Sequence, residues 1–417
     1  DPLAKRKPVL ESRRTDVSQR WAEHSLPIPT PTIAVYMLAF VNAAILTAIF
    51  PLVPAFEEAF SLSKLEIGGL FAAGGLSFLL AAIPVGTLAD RVGARSVTVA
   101  SAGVLVVAAL GQAVAVDFWT LTASRVVFAL GSAGVLTAGI SWLADSSPAD
   151  RRPARIGGIM PIAGAGGLAG PALAGWLEDF FGTAVPFLVW MAVAIAVWGL
   201  VAVSERGARA KHGHIPLAEM LGASRASPVV LAACLLFLVG GLAEIVVSTL
   251  TPLQLDANGL SSGEVGLVFA AGAGAFVLVS SVVARLASRL TTLHAAGVAM
   301  VLVAASLTPL VISTSTAAII AGVVARMAAI AVVYTVAFPL GTTGAASAAV
   351  GVGAVTGLLM LSSGTSNVIG PLGGAAIASA TDDRLVYGII LGLCVLTAVW
   401  LALLAQASRK KPRPRSS

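Results

Sequence analysis

The sequence is poor in charged residues and in cysteine. Of its 417 residues, 11% are charged, against about 25% in soluble globular proteins. Two cysteines provide neither a disulfide framework nor a zinc-binding spacing. A chain with 57% hydrophobic residues and so few charges cannot hide its apolar surface in water, which excludes a soluble globular protein. The sequence also lacks a Walker loop and a nucleophile constellation, so we expect no enzyme, no cofactor and no metal site.

The chain consists mainly of long apolar runs separated by short polar segments. Twelve runs have the roughly 20 to 25 residues that cross a bilayer as an α-helix. They lie near residues 32–56, 65–89, 97–116, 119–144, 154–177, 184–204, 228–253, 264–287, 293–313, 316–341, 347–377 and 384–406. We therefore predict an all-α membrane protein with twelve transmembrane helices.

The basic residues favour one orientation of these spans. If both termini are cytoplasmic, 22 of the 26 Lys and Arg residues lie on the cytoplasmic side, as the positive-inside rule requires. The basic residues behind the net charge of +6 then act as a signal for orientation in a cell membrane. Because this explains the positive charge, we expect no nucleic-acid partner. The basic tails are predicted at 1–31 and 407–417. Anchoring on the inside is the favoured role of the second tail, and contact with anionic lipid is the alternative.

The two halves of the chain repeat at an offset of about 198 to 201 residues. The paired segments include Leu62–Gly74 with Leu260–Gly272, Arg125 with Arg326, and Gly170–Pro171 with Gly370–Pro371. Such repeats indicate duplication of a six-helix unit with a binding site between the halves near the midplane. We predict bundles at 32–204 and 228–406, joined by a cytoplasmic linker at 205–227.

One polar segment between the second and third spans carries the most specific signal. It reads Gly86-Thr-Leu-Ala-Asp90-Arg91-Val-Gly93-Ala-Arg95. This segment resembles the G-x-L-A-D-R-x-G-x-R loop of major facilitator superfamily transporters. The resemblance implies the major facilitator fold, with two pseudo-symmetric six-helix bundles, a monomer, and transport of a small molecule by alternating access.

The same resemblance implies a cytoplasmic latch. Its expected members are Gly86, Asp90, Arg91, Gly93, Arg95 and Asp145. In the family, the acid of this loop sits against the N-terminus of span 11, where the helix dipole favours a negative charge. The glycines allow a sharp turn, and we expect the arginines to pair with acids, with Asp145 as the candidate. An ordinary basic loop is the alternative. Ser288 replaces the acid in the second half, so we expect an asymmetric latch.

A glycine pattern in the fifth span resembles the antiporter motif of drug/proton exchangers in the superfamily. Gly157, Gly166, Gly170, Pro171 and Gly175 match G-x8-G-x3-G-P-x2-G-G, except that Ala174 replaces one closing glycine; span 11 carries a weaker copy with Ser366. Glycines four residues apart permit close helix contact, and the proline permits a bend. We interpret the motif as part of the rocking interface between the halves. A packing face without a transport role is the alternative.

Three charged residues lie deep inside the predicted spans, away from their ends, namely Glu244, Arg125 and Arg326. Because charge inside a membrane is costly, each is a functional-site hypothesis. Glu244 lies near the middle of span 7 on a face of small and polar residues, and we predict that it loads and releases protons. A structural ion pair with either arginine is the alternative. Arg125 matches the arginine of the family's R-x-x-Q-G motif, although Phe128 and Ala129 replace its Gln and Gly.

Asn42, Gln112, Tyr334 and Asn367 are weaker candidates, which face the cavity or pair between helices. We predict proton-coupled efflux of small lipophilic compounds, and a lone glutamate suits lipophilic cations best. The alternatives are an organic-anion or lipid transporter of the same fold, and a membrane receptor or sensor that does not transport. The Ala-, Gly-, Val- and Arg-rich composition is typical of a high-GC bacterium.

Overall fold

A computed structural model of the protein describes residues 30–148, 150–205, 227–285, 292–347 and 352–410. Most of the predicted tails and linker lie outside these ranges, as does Ser288. Every regular element within them is a helix, which agrees with the all-α prediction.

The long helices follow the predicted spans in order. They are α1 Thr30–Phe60, α2 Lys64–Val92, α3 Ala94–Ala113, α4 Phe118–Asp145, α5 Ala154–Phe181, α6 Ala184–Val203, α7 Pro228–Ala257, α8 Ser262–Ala284, α9 Leu293–Ile312, α10 Thr316–Ser347, α11 Val352–Ala380 and α12 Asp383–Lys410. A 3₁₀ turn at Phe50–Leu52 interrupts α1, and a turn at Gly158 interrupts α5. Eleven of the helices are long and apolar enough to cross a membrane, and the twelfth, α11, carries no charged residue. The fold prediction is confirmed.

The strongest sequence repeat corresponds to two equivalent helix starts. At the start of α2, the Ser63 side chain accepts from the Glu66 N–H, and the Glu66 carboxylate accepts from the Ser63 N–H. Ser261 and Glu264 form the same capping box at the start of α8. Each box satisfies two backbone donors that the first helical turn leaves without a partner. The sequence repeat therefore coincides with the same helix-capping hydrogen bonds in both halves.

Two helix pairs form the main contact between the halves. α5 packs against α8, and α2 packs against α11. Glycines let these backbones approach closely: a Cβ atom on Gly68 would overlap Pro371 and Ala375, and one on Gly75 would overlap the backbone of Asn367. We call the end of the bundle where α2 begins the Lys64 end, and the end where α2 stops the Asp90 end.

The polar segment after the second span is almost entirely helical, which corrects the prediction of a loop. α2 continues through Asp90 and Arg91 to Val92, and α3 begins at Ala94. Only Gly93, with φ of 100°, makes the sharp turn, a conformation that costs glycine little. Gly86 lies within α2 and takes no part in that turn.

Candidate functional site

Glu244 lies near the middle of α7 and is partly exposed. Its Oε2 atom accepts a hydrogen bond of 2.7 Å from the hydroxyl of Tyr334 on α10. The Tyr334 ring lies beside the ring of Phe237, with 4.9 Å between the centroids. Phe237 precedes Glu244 by two helical turns, so the acid and both aromatic rings form one cluster between α7 and α10. The cluster combines a negative charge with aromatic faces.

Arg326 fixes the backbone of the same turn of α7. Its side chain is fully buried, and Nη1 donates to the carbonyl oxygen of Glu244 at 3.2 Å. Nη2 lies 3.5 Å from the hydroxyl of Ser248. Within the described ranges, neither this arginine nor Arg125 forms an ion pair within 4.0 Å of the Glu244 carboxylate. The geometry is therefore not the direct ion pair considered as the alternative, because the guanidinium binds the main chain instead.

Arg125, the repeat counterpart of Arg326, has neutral partners. It is 5% exposed, and its Nη1 donates to Oε1 of Gln112 at 3.3 Å. Its guanidinium carbon lies 5.0 Å from the centroid of the Phe128 ring, where the ring face attracts a cation. Gln112 therefore pairs between α3 and α4, and Phe128, which replaces the family's glutamine, supplies part of the arginine's environment.

Asn42 and Asn367 are not joined to the Glu244 cluster by any hydrogen bond within the described part of the chain. Asn42 is 4% exposed, and its Oδ1 atom has no hydrogen-bond partner there. Asn367 lies where α11 meets Gly75 of α2, in the contact between the halves. The structure thus brings together Glu244, Arg326 and Tyr334, and places the two asparagines elsewhere.

The predicted latch residues lie at the Asp90 end, but one has different partners from those expected. Nε of Arg95 donates to the carbonyl of Ser204 at 3.0 Å, and Nη2 donates to the carbonyl of Ala202. These carbonyls close the last turn of α6, where a cation complements the helix dipole. Arg95 therefore caps a helix, and within the described residues its hydrogen bonds go to carbonyl oxygens and not to an acid. Asp90 and Arg91 lie in the last turn of α2, and their role in a latch stays a prediction.

The glycine motif of α5 divides between two neighbours. A Cβ atom on Gly166 would overlap the carbonyl of Phe40, and one on Gly170 would overlap the carbonyl of Ala44, both on α1 of the same half. Gly175 instead meets Ser262 of α8 across the halves. Within the motif, Gly175 and the Pro171 carbonyl, which approaches Gly266, therefore lie in the contact between the halves, and a rocking role for them stays a prediction. Gly157 faces open space.

Sequence reasoning missed two parts of the arrangement. Phe237 stands seven residues before Glu244, a spacing that places both on one helix face, and this pattern could have identified it. Asp179, at the end of α5, bonds to the start of α8. Nothing in the local sequence indicates that contact, because it depends on how the two halves meet.

A family model described as Major Facilitator Superfamily matches residues 35–355. The human vesicular acetylcholine transporter is 33% identical over 176 residues, which are 42% of this chain and 33% of that protein. The D-xylose transporter of Levilactobacillus brevis is 34% identical over 98 residues, covering 23% of this chain and 21% of that protein. The matches thus span a third or less of the length of these curated relatives.

Solved structures share the fold over almost the full length. A bacterial homologue of the human lysosomal transporter Spinster, in an inward-facing and occupied conformation, gives a TM-score of 0.77 at 16% identity, covering 92% of this chain and 98% of that one. The POT family transporter PepTSo gives 0.73 at 13% identity, covering 93% and 100%. At these identities the likeness concerns the fold alone.

Proposed function

Because the chain belongs to the major facilitator superfamily, we propose that it is a secondary transporter that exchanges protons for small lipophilic organic cations. We further propose that Glu244 is the residue at which the two compete. A carboxylate neutralised by a proton no longer attracts a cation, so one acid can couple opposite movements of the two.

The observation that carries the proposal is the cluster around Glu244. The carboxylate is partly exposed and held by the Tyr334 hydroxyl at 2.7 Å. Aromatic rings beside a carboxylate suit an organic ammonium group, which gains from both the charge and the ring faces. Because Arg326 holds the carbonyl of the same residue, α10 fixes the acid at two points.

The relatives lend support to a cationic substrate. The vesicular acetylcholine transporters are named for acetylcholine, which is an organic cation. The segment they share with this chain covers about a third of their length, so the support is for the class of substrate and not for acetylcholine. The xylose transporter is named for a neutral sugar and matches a shorter segment.

The organic-anion alternative has weaker support. An anion carrier needs an accessible cation in its cavity, whereas Arg326 is fully buried against α7 and Arg125 is 5% exposed beside Gln112. A receptor that does not transport would leave proton movement independent of the ligand, and the experiment below separates it from a carrier.

We propose the orientation from the charge distribution, and the direction of transport from the proton gradient. We assign the Asp90 end to the cytoplasm, since most basic residues fall on that side. Both termini are then cytoplasmic, and an inward proton gradient across the cell membrane drives export by a monomer.

The experiment uses the purified protein in liposomes with an internal pH dye and an imposed proton gradient. Tetraphenylphosphonium or ethidium should start a proton flux that Glu244→Gln reduces to the background of empty liposomes. The matched control is Glu205→Gln, which removes the same charge at an exposed position beyond α6 and should leave the flux unchanged. A flux that survives Glu244→Gln refutes the coupling role, and a folded wild type without cation-dependent flux refutes the exchange itself.

A further inference from the structure

We propose that Asp179 and Lys64 form a two-point clasp that holds the Lys64 end closed between the halves. Each residue belongs to the first half and bonds to the start of a helix in the second half. The proposal rests on the alternating access of the proposed transporter and not on its exchange of protons for cations.

The first point joins α5 to α8. The Asp179 carboxylate accepts from the backbone N–H of Gly263 at 3.1 Å and from the hydroxyl of Ser261 at 2.9 Å. Ser261 is the N-cap of α8, and its oxygen also accepts from the Glu264 N–H. The first N–H groups of a helix lack intrahelical partners and carry partial positive charge. The carboxylate from α5 therefore extends the capping box of α8 across the boundary between the halves.

The second point joins α2 to α12. Nζ of Lys64 lies 2.7 Å from Oδ1 of Asp383, which is 8% exposed. Nε2 of Gln254 on α7 donates to the other carboxylate oxygen at 2.8 Å. Both oxygens of a buried acid are thus bonded, one of them to the other half. An acid in this position is poorly accommodated without its cation, so the bond favours the closed arrangement.

Like charges beside the clasp oppose closure. A cavity of about 580 Å³ at this end is lined by five carboxylates, those of Glu57, Glu58, Glu178, Asp179 and Asp256. Bringing the halves together concentrates these charges and increases their repulsion. For Asp179, the partial positive charge at the start of α8 offsets this repulsion. Opening this end separates α5 from α8 and α2 from α12, so both bonds must break in each transport cycle.

The clasp and plain charge repulsion predict opposite results when an acid is removed. Loss of repulsion favours closing, whereas loss of the clasp favours opening. Asp179→Asn is therefore compared with Glu178→Gln, which removes the same charge from the same cavity but has no bond to α8 within the described residues.

The measurement is the distance between spin labels at Phe181→Cys and Ala257→Cys, both exposed at the Lys64 end in different halves. The native cysteines are buried and should not react. Asp179→Asn should raise the ratio of open to closed populations at least threefold, while Glu178→Gln leaves it unchanged or lowers it. An Asp179→Asn distribution equal to wild type, or moved towards the closed distance, overturns the proposal.

Lys64→Met keeps the test decisive if Asp179→Asn does not fold, because it leaves α8 untouched. It should also raise the open population threefold, and the double variant should combine both effects because the two points share no partner. An unchanged distribution in Lys64→Met overturns the two-point clasp. Since no substrate or proton gradient is present, a failed cation-exchange assay leaves this result intact.

Discussion

The two halves contain the same buried arginine in different electrostatic surroundings. Arg125 meets the neutral Gln112, whereas Arg326 binds the carbonyl of Glu244, an acid near the middle of α7. At offsets of 198 to 201 residues, which relate the two halves, the positions that match Glu244 are Ala43, Ala44, Ile45 and Leu46, and none of these is an acid. Duplication therefore supplied a symmetric frame and a cation in each half, and the difference places the proposed chemistry in the second half alone.

The largest expected effect comes from replacing each arginine in turn, which tests whether the two halves differ in their contribution to proton flux. Arg326→Gln should reduce cation-dependent proton flux at least tenfold, which corresponds to about 1.4 kcal/mol. The substitution frees the carbonyl of Glu244 and removes the positive charge beside its carboxylate. Arg125→Gln should reduce it less than about threefold, roughly 0.7 kcal/mol, since only a neutral partner is lost. The flux assay in liposomes measures both.

Arg326→Lys is the control, because it retains the charge in a similar volume and should recover part of the flux. Equal losses in Arg125→Gln and Arg326→Gln would contradict the assignment of chemistry to the second half. A larger loss in Arg125→Gln would move the coupling site to α4.

A smaller effect is expected from the glycines that pack at repeat-related positions. Gly170→Ala pushes against the carbonyl of Ala44, which belongs to a helix backbone and cannot turn away, whereas Gly370→Ala meets the γ2 methyl of Ile245. We expect Gly170→Ala to destabilise the protein by about 1–3 kcal/mol. For Gly370→Ala the helix-propensity gain of about 1 kcal/mol should largely cancel a milder clash. Thermal unfolding in detergent measures the order, and a reversed order would contradict the structure here.

Each half contains a close contact between two helices, but the glycine that permits it lies on a different helix in each half. Gly166 on α5 lies against Phe40 on α1, while its counterpart Ser366 on α11 lies against Gly241 on α7. In the second half the glycine is Gly241 on α7, and the residue on α11 is a serine. Sequence reading interpreted Ser366 as a weakened motif, because one helix viewed alone does not reveal the compensating glycine opposite.

The same distinction between local and distant contacts explains what the sequence could predict. Hydropathy and the internal repeat can be recognised without knowing any contact, and they predicted the twelve helices and their order. Glu244 was identifiable because one charge in an apolar run is visible without any partner. Its hydrogen bond to Tyr334 joins residues 90 positions apart, and the rotation of α10 that creates it depends on packing. For the same reason the sequence did not indicate that Arg95 binds carbonyl oxygens at the end of α6.

The smallest effect tests the Tyr334 hydroxyl itself. Tyr334→Phe removes the hydrogen bond to Glu244 and keeps the ring beside Phe237, so apparent cation affinity should fall by about three- to tenfold, or roughly 0.7–1.4 kcal/mol. In the first half, Tyr36→Phe removes a similar hydroxyl that donates to the carbonyl of Arg155 at 2.8 Å. That control should leave the affinity within about twofold, roughly 0.4 kcal/mol. If both variants lose affinity equally, the hydroxyls act through stability, and the asymmetry between the halves does not extend to this bond. If only Tyr334→Phe loses affinity, the carboxylate depends on its orientation by α10 as well as on its charge.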